Sequence, residues 1–199
     1  MKKEVIYDLY SIGAIKFGNF TLISGMVSPI YINLRIMVSY PEILEKVADL
    51  ISEELNDLDF DLIAGIPYTA LPITSIISVK RKIPMVYARK EVKDYGTKKK
   101  IEGIFKKGDV CVVVDDLITK GDSKFETAEP FESEGLIVKD FVVLVDREQG
   151  GSDLLKKRGY NLHSIIPITE LLDTLRDNKN ISEEDYSKAK KFIEANKVA

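Results

Sequence analysis

The stretch VCVVVDDLITKGDS, residues 110–123, joins an apolar run to two adjacent acids and then to a loop with hydroxyl groups and a glycine. An apolar run that does not alternate with polar residues is typical of a strand buried on both faces, as in a parallel sheet. A helix-like piece follows from about residue 122, so we predict a strand, a loop and a helix in that order. Such a loop presents free N–H groups and the positive end of a helix dipole to an anion.

The same alternation of apolar and helical segments runs through most of the chain. Four further apolar runs resemble the first: DLIAGI (61–66), PMVYA (84–88), DFVVLVD (140–146) and LHSIIPI (162–168). Helical spacing predicts helices at about 3–14, 41–56, 70–81, 122–135, 151–158, 169–176 and 182–196. The segments KFGNFTLI (16–23) and PIYINL (29–34) are predicted to be extended, with a turn at Ser24–Gly25 between them. We therefore predict an α/β fold with a parallel central sheet flanked by helices.

Composition narrows the class of protein. The 199 residues are 45% hydrophobic and carry a formal net charge of −3, which excludes an intrinsically disordered chain. Cys111 is the single cysteine, so we expect a buried, inert thiol and neither a disulfide framework nor a cysteine-based zinc site. No apolar stretch reaches the roughly 18 residues of a membrane span, and the first ten residues lack a signal-peptide core. We expect a cytoplasmic protein with one domain over residues 1–199.

Charge is concentrated in one segment. Residues 89–107 hold eight cations and three acids, a net +5, which leaves −8 for the rest of the chain. An acidic body with one basic segment suits a small polyanionic ligand better than a nucleic acid duplex, which needs a broad basic face. We therefore expect neither nucleic acid nor a membrane as a partner. Without other motifs, a solvated charged loop would be the simpler interpretation.

Ligands of an open parallel sheet bind at the carboxyl ends of its strands. Four such ends carry unusual residues: Gly65–Leu71, Arg89–Glu102, Asp115–Ser123 and Asp146–Gly151. The carboxylates of Asp115 and Asp116 would repel a bare phosphate, but they suit the hydroxyl groups of a sugar joined to that phosphate. The combination favours a ribose phosphate ligand, while two solvated acids at a strand end are an equally good interpretation of the spacing alone.

Residues 112–123 resemble the phosphoribosyl-pyrophosphate (PRPP) signature of the type I phosphoribosyltransferase family, in which a hydrophobic strand leads to two acids and a Thr-x-Gly-x-Ser/Thr loop. The resemblance implies that Asp115 and Asp116 hold the 2′ and 3′ hydroxyl groups of the ribose and take part in catalysis. It implies that a loop binds the 5′-phosphate through Thr119, Lys120, Gly121, Asp122 and Ser123. Lys120 is expected to add a phosphate contact, and the side chain of Asp122 is expected to point away.

Four other segments resemble the orotate phosphoribosyltransferase family and follow the family's order along nearly the whole chain. They are FTLISGMVSPIYINLR (20–35), GIPYTALPI (65–73), RKEVKDYGTKKKIEG (89–103) and VLVDREQGG (143–151). The end of the chain is similar to the phosphoribosyltransferase half of the uridine monophosphate synthases, and we expect no decarboxylase domain. The resemblance implies one phosphoribosyltransferase domain, with a hood at about 1–38 and a C-terminal helix at about 178–199.

The basic segment resembles the family's mobile catalytic loop. This resemblance implies that Arg89, Lys90 and Lys93 meet the pyrophosphate, and that the catalytic Lys93 reaches the neighbouring subunit's site. Tyr95, also assigned to the PRPP site, stands where many bacterial members have His, so acid catalysis of the His type is not expected.

The segment GIPYTALP resembles the family's pyrophosphate loop. Tyr68 and Thr69 are implied to contact pyrophosphate, next to a peptide bond that can be non-trans; an ordinary strand-to-helix turn is the alternative. Thr69 stands near a position where bacterial relatives often have Lys. Ile23, in the hood, also replaces a common Lys, which removes one cation from the expected site.

Three residues are implied to recognise the base. Tyr31 in the hood would stack on the pyrimidine, or else pack as an ordinary aromatic residue of the small subdomain. Arg147 would bind the carboxylate of orotate bidentately, with an ion pair to Asp146 or Glu148 as the alternative. Thr119 is assigned to orotate as well as to PRPP.

The resemblance implies transfer of ribose 5-phosphate from PRPP to orotate, with Mg²⁺ held mainly by the substrate rather than by protein ligands. It also implies that no protein nucleophile takes part and that the protein is a homodimer with shared active sites, for which a separate orotidine 5′-monophosphate decarboxylase could be a partner. Two alternatives stay open, a phosphoribosyltransferase with another base acceptor and a non-catalytic PRPP-binding regulator. A dinucleotide-binding module is disfavoured, because the chain has neither G-x-G-x-x-G nor a Walker motif.

Overall fold

The computed structural model describes residues 1–22, 25–89 and 100–198, with the side chains of all of these except Asp122 and Ser123. Its elements in chain order are α1 (Lys2–Ser11), β1 (Ile15–Thr21), β2 (Val27–Ile32), α2 (Pro41–Glu54), β3 (Leu62–Gly65), α3 (Ala70–Arg81), β4 (Met85–Ala88), β5 (Ile101–Glu102), β6 (Val110–Ile118), α4 (Asp122–Ser133), β7 (Ile137–Asp146), α5 (Gly151–Lys157), β8 (Asn161–Pro167), α6 (Ile168–Asp177) and α7 (Glu183–Ala195). Within those ranges, no helix combines the length and apolarity that a bilayer-spanning helix needs.

Six strands form the main sheet in the order β5-β4-β3-β6-β7-β8. β4, β3, β6, β7 and β8 are parallel, and β5 pairs antiparallel with β4 at the edge. The predicted α/β class with a parallel central sheet is therefore confirmed. The two-residue strand β5 was not predicted, because so short a segment has no periodicity to recognise. β6 lies between β3 and β7, so the carboxyl ends of these three strands are neighbours.

Helices cover both faces of this sheet. On one face, residues of β6 such as Val112 and Val114 join a hydrophobic cluster with α1, α2, α3, α6 and α7. On the other face, Cys111 and Val113 join a second cluster with α4 and α5. This alternation is the period of two that any strand imposes on its side chains. Cys111 is fully buried, as predicted, and burial raises the pKa of its thiol.

The N-terminal segments form a separate two-stranded antiparallel sheet of β1 and β2, as the predicted extended pieces indicate. Ile15 and Ile30 of this small sheet belong to the same hydrophobic cluster as Ile193 of α7. The C-terminal helix therefore packs on the hood, and it also contacts α6. The boundaries of the hood and of the C-terminal helix as separate units stay a prediction.

Candidate active site

Asp115 and Asp116 both lie within β6, which continues to Ile118 before the loop begins. Neighbouring residues of a strand start from opposite faces, but the two carboxyl groups stay in contact and share a side-chain hydrogen bond. Asp115 continues the face of Val113 towards α4, where it binds Lys124. Asp116 lies on the other face and shares a hydrogen bond with Thr69, just before α3.

Lys124 in the first turn of α4 is a buried cation that the sequence analysis did not assign to the site. Its side chain is buried, with the whole residue 3% exposed, and its ammonium group donates to Oδ2 of Asp115 and to the carbonyl oxygen of Leu117, the latter at 3.0 Å. Oδ1 of Asp115 accepts the backbone N–H of Asp116 at 2.8 Å. Both oxygens of Asp115, itself 7% exposed, are thus already bonded to donors of the protein.

Asp116 has a perturbed carboxyl group. Burial raises its pKa to about 6, because a charged carboxylate loses its hydration, and the negative charge of Asp115 acts in the same direction. The hydroxyl of Thr69 and the charge of Lys124 oppose this shift. Asp116 can therefore change its charge close to neutral pH, which is a property of functional sites more often than of structural ion pairs.

The loop after β6 leads directly into α4. Gly121 has φ +90° and occupies the position before the helix, where it has no side chain to cap the first turn. Its carbonyl oxygen accepts the N–H of Lys124 at 2.9 Å, so the backbone N–H groups that precede Lys124 are the ones that this helix start offers to an anion. Thr119 is half-buried and Lys120 is exposed. The side chains of Asp122 and Ser123 lie outside the described part, so the expected orientation of Asp122 stays a prediction.

Two glycines hold this loop against the loop that follows β7. A Cβ atom on Gly121 would lie 3.1 Å from the carbonyl oxygen of Gly151, and one on Gly151 would lie 2.7 Å from Cγ1 of Ile118. The N–H of Gly151 donates to the carbonyl oxygen of Thr119 at 3.1 Å. The backbones of the two loops are therefore in direct contact.

Arg147 begins the loop after β7 and is only 9% exposed. Its backbone N–H donates to the carbonyl oxygen of Ile118 at 3.0 Å, which fixes it beside the end of β6. Among the described residues, Nε and Nη2 of its guanidinium group have no hydrogen-bond partner. Burial lowers the pKa of this group, since the charge is taken out of water without compensation.

The neighbours of Arg147 do not form the ion pair considered as an alternative. Oδ1 of Asp146 accepts the N–H of Glu148 at 2.8 Å. Oε2 of Glu148 accepts the N–H of Thr169 at 2.7 Å and also its hydroxyl group. Within the described ranges, neither carboxylate makes an ion pair with Arg147, so the guanidinium group is left for a ligand.

Gln149 is a further residue of this loop that the sequence analysis did not assign. It is 3% exposed, and its Oε1 has no partner among the described side chains and backbone groups. Its carbonyl oxygen accepts the N–H of Val198 at 3.2 Å, so the end of the chain rests on this loop. The only feature of the sequence that could have indicated a role for Gln149 is its position between Arg147 and a pair of glycines.

The predicted pyrophosphate loop lies at the end of β3. The peptide bond between Pro67 and Tyr68 is cis, Tyr68 is exposed and Thr69 is buried. Gly65 allows α3 to begin close to the strand, because a Cβ atom there would lie 3.2 Å from the carbonyl oxygen of Ala70. Thr69 and Asp116, which the sequence assigned to two separate motifs, are in contact here.

Arg89 and Tyr31, two further predicted residues, each have partners of their own in the structure. Arg89 donates from Nη1 to Oε1 of Glu102 at 3.1 Å, and its N–H binds the carbonyl oxygen of Lys100 at 2.9 Å. Tyr31 is 38% exposed and stacks on Phe20, with ring centroids 5.4 Å apart. Four residues that the sequence analysis singled out, Lys90, Lys93, Tyr95 and Ile23, lie outside the described residues.

Comparison with known proteins assigns the chain to a protein family. Residues 37–170 match the family model of the phosphoribosyl transferase domain. The orotate phosphoribosyltransferase of Chlamydia caviae is 38% identical over 196 residues, which make up 98% of this chain and 95% of the chlamydial protein. The chain belongs to the orotate phosphoribosyltransferase family.

This member of the orotate phosphoribosyltransferase family is also similar to longer proteins. The uridine 5′-monophosphate synthase of Bos taurus is 46% identical over 195 residues, which are 97% of this chain and 41% of the bovine protein. The solved structure of Leishmania donovani UMP synthase superposes with a TM-score of 0.90 at 40% identity, covering 98% of this chain and 42% of that one. The chain thus spans less than half of these two relatives.

Metal ligands are few at this orotate phosphoribosyltransferase-type site. In the part of the chain that the structure describes, no three His, Cys, Asp or Glu side chains come close enough to hold a metal ion together. Carboxylate oxygens are the donors that Mg²⁺ prefers, and it commonly keeps several waters and binds substrate phosphates through few protein ligands. The available donors, mainly Asp116 because Asp115 is bonded to Lys124, fit a Mg²⁺ ion that arrives with a polyphosphate.

Proposed function

We propose that this chain transfers ribose 5-phosphate from PRPP to orotate, which gives orotidine 5′-monophosphate and pyrophosphate in pyrimidine (UMP) biosynthesis. Orotate as the acceptor is supported by the surroundings of Arg147, a buried guanidinium group whose Nε and Nη2 have no partner among the described residues. A carboxylate satisfies two such donors at once, and orotate carries one. Uracil and purine bases have no carboxylate for this position.

The donor side of the proposal uses the end of β6 and its loop. Asp115 and Asp116 would hold the ribose at its hydroxyl groups, and the first-turn N–H groups of α4 would receive the 5′-phosphate. The phosphate contacts are assigned to Thr119, Lys120, Gly121, Asp122 and Ser123. The backbone contact between Gly121 and Gly151 supports this arrangement, since it joins the donor loop to the loop that carries Arg147.

Catalysis in this proposal is positioning and charge stabilisation. Arg147, Thr119 and Tyr31 would hold orotate so that its ring nitrogen approaches C1′ of the ribose while the bond to pyrophosphate breaks. No protein nucleophile is needed, and Ser123 is not one. The residues proposed to meet the departing pyrophosphate are Tyr68, Thr69, Arg89, Lys90, Lys93 and Tyr95. Clustered cations stabilise that charge most in the transition state, so Lys93 is the proposed catalytic cation.

The proposal also covers the metal cofactor, the oligomeric state and the partner enzyme of this chain. Mg²⁺ bound to PRPP would neutralise part of the pyrophosphate charge, and Asp116 would be its nearest protein carboxylate. A homodimer with shared active sites is proposed from the family resemblance of the segment around Lys93, and a cytoplasmic location is a separate part of the proposal. A separate orotidine 5′-monophosphate decarboxylase would be a partner that consumes the product.

A substrate screen tests the function. The purified chain is mixed with PRPP and Mg²⁺, and loss of orotate absorbance is followed beside parallel reactions with uracil and hypoxanthine. Turnover with orotate alone is expected. Turnover with another base and not with orotate would replace the acceptor, and PRPP binding without any turnover would favour the non-catalytic regulator.

A further inference from the structure

The acceptor loop, residues 147–150 between β7 and α5, is bonded to other elements on several sides. Towards the proposed sugar-phosphate site, the N–H of Arg147 donates to the carbonyl oxygen of Ile118 at 3.0 Å. On the side of α6, the carboxylate of Glu148 accepts the N–H of Thr169 at 2.7 Å. The position of the loop is therefore set by the elements around it.

The C-terminal segment, residues 196–198, contacts the centre of the acceptor loop. The N–H of Val198 donates to the carbonyl oxygen of Gln149 at 3.2 Å. The carbonyl oxygen of Val198 lies close to the next residue of the loop, because a Cβ atom on Gly150 would be only 2.7 Å from it. Gly150 has φ +101°, a conformation that glycine adopts without strain. The C-terminal segment and the acceptor loop therefore meet backbone to backbone.

A cavity beside this contact concentrates negative charge. Its lining includes the carboxylates of Asp146, Glu148 and Asp153, together with Lys197 and Val198 of the C-terminal segment. Lys197 brings a positive charge into these acidic surroundings. Charge attraction of this kind is weak where water has access, but it favours the docked position of the segment over a detached one.

The same C-terminal segment is connected to the hood. Residues 196–198 directly follow α7, and α7 contacts both strands of the hood, β1 and β2. Ile193 of α7 shares a hydrophobic cluster with Ile15 and Ile30 of those strands. Tyr31, which is proposed to stack on the base, follows Ile30 in β2. Through α7, the C-terminal segment thus connects the hood to the acceptor loop, the two parts of the proposed base site.

We propose that Val198 is a positioning residue, whose backbone N–H holds the acceptor loop so that the guanidinium group of Arg147 is placed to bind the carboxylate of the base. This inference rests on the proposed function and adds a residue that lies outside the site itself. Val198 acts through Gln149 and does not touch the substrate. Because Val198 is 49% exposed, its side chain is unimportant in this role, whereas its N–H is essential.

A matched pair of substitutions separates the side chain from the N–H. Val198→Pro removes the N–H and keeps an apolar side chain, whereas Val198→Ala keeps the N–H. Position 198 lies beyond the end of α7 at Ala195, so proline does not interrupt the helix. The loss of one backbone hydrogen bond should raise the KM for orotate roughly three- to tenfold in Val198→Pro. The KM for PRPP should change less than about twofold in both variants, and Val198→Ala should keep the KM for orotate.

Hydrogen–deuterium exchange of the ligand-free protein tests the positioning without measuring activity. The N–H groups of Arg147 and Gly151 are hydrogen-bonded to the end of β6 and to the loop after it, so they exchange faster when the acceptor loop is released. Faster exchange over residues 146–151 is expected in Val198→Pro and not in Val198→Ala. Unchanged exchange in Val198→Pro overturns the proposal, and so does a KM for PRPP that rises as much as the KM for orotate.

A second variant reaches the same contact from the loop. Gly150→Ala places a methyl group against the carbonyl oxygen of Val198. Its effect on the KM for orotate should be smaller in the Val198→Pro background than in the parent, because the contact that it displaces is already weakened there. Equal effects in the two backgrounds would contradict the proposal.

Loss of folding and failure of the proposed function give different results. The melting temperature of Val198→Pro should fall by no more than about 4 °C, since one exposed hydrogen bond is lost. A parent protein that does not turn over orotate contradicts the proposed function, and the exchange experiment then still decides whether Val198 holds the loop. A parent that turns over orotate with the same KM as Val198→Pro overturns the positioning role alone.

Discussion

Replacing Arg147 with Met should weaken orotate binding strongly without lowering the stability of the protein. The guanidinium group is 9% exposed, and Nε and Nη2 lack partners among the described residues. A buried charge without a partner is unfavourable in the folded state, so its replacement by an apolar side chain removes a cost. A residue kept for a structural ion pair would behave in the opposite way.

The size of the effect follows from the two unpaired donors. A hydrogen bond to a charged group contributes roughly 1.5–3 kcal/mol, so two of them to a carboxylate give about 3 kcal/mol at the lower end. Each 1.4 kcal/mol is about a factor of ten, so the KM for orotate should rise by roughly a hundredfold or more. The KM for PRPP should change by less than about threefold, since Arg147 is assigned to the acceptor alone.

The assay is steady-state kinetics at saturating PRPP together with thermal unfolding of the ligand-free protein. Arg158→Met is the matched control, because Arg158 is exposed and lies over the ring of Phe125 at 4.5 Å. This control should keep the KM for orotate. An unchanged KM for orotate in Arg147→Met, or a fall of several degrees in its melting temperature, would refute the reasoning.

Two further predictions concern the acid pair and the dimer. Asp116→Asn should raise the melting temperature at pH 7.5 but not below pH 4. The carboxyl group has a pKa of about 6 in the folded protein against an ordinary 3.8, so the folded state loses stability as the pH rises from the lower to the higher value. Equal gains at both pH values in calorimetric melts would contradict this. Mixing Lys93→Ala with Arg147→Met should restore up to about a quarter of parent activity, because half of the exchanged dimers have one complete site. Mixtures as inactive as each variant alone would count against shared sites.

The sequence predicted the main sheet because its strands are long apolar runs with both faces buried. Runs at 61–66, 110–116 and 140–146 became β3, β6 and β7, and their neighbouring ends gather the residues that the motifs had separated. Arg147 was singled out from the family resemblance of its segment, and its role at the base stays a prediction.

The partners of those residues could not be predicted in the same way. Whether Asp115 faces α4 depends on the register of β6, and β6 continues to Ile118, beyond the apolar run. Lys124 looks like an ordinary surface lysine in the sequence. Two features of the sequence pointed to this ion pair only indirectly. Asp115 lies two residues after the buried Val113 and therefore shares its face of the strand, and Lys124 is the only cation in α4.

Because Gly121 and Gly151 have no side chains, the contact between their loops limits how the site can be redesigned. An added methyl group at Gly121 would press on the backbone of Gly151, and one at Gly151 would press on Ile118 and on the carbonyl oxygen of Thr119, so either change would push apart the two loops that carry the proposed sugar-phosphate and base sites. Exchanging residues 146–151 for the equivalent segment of a protein with a different acceptor is therefore compatible with this scaffold only when the graft brings its own glycine at position 151. Residues that recognise the base can be exchanged in this loop, but the close backbone contact between Gly121 and Gly151 must be kept.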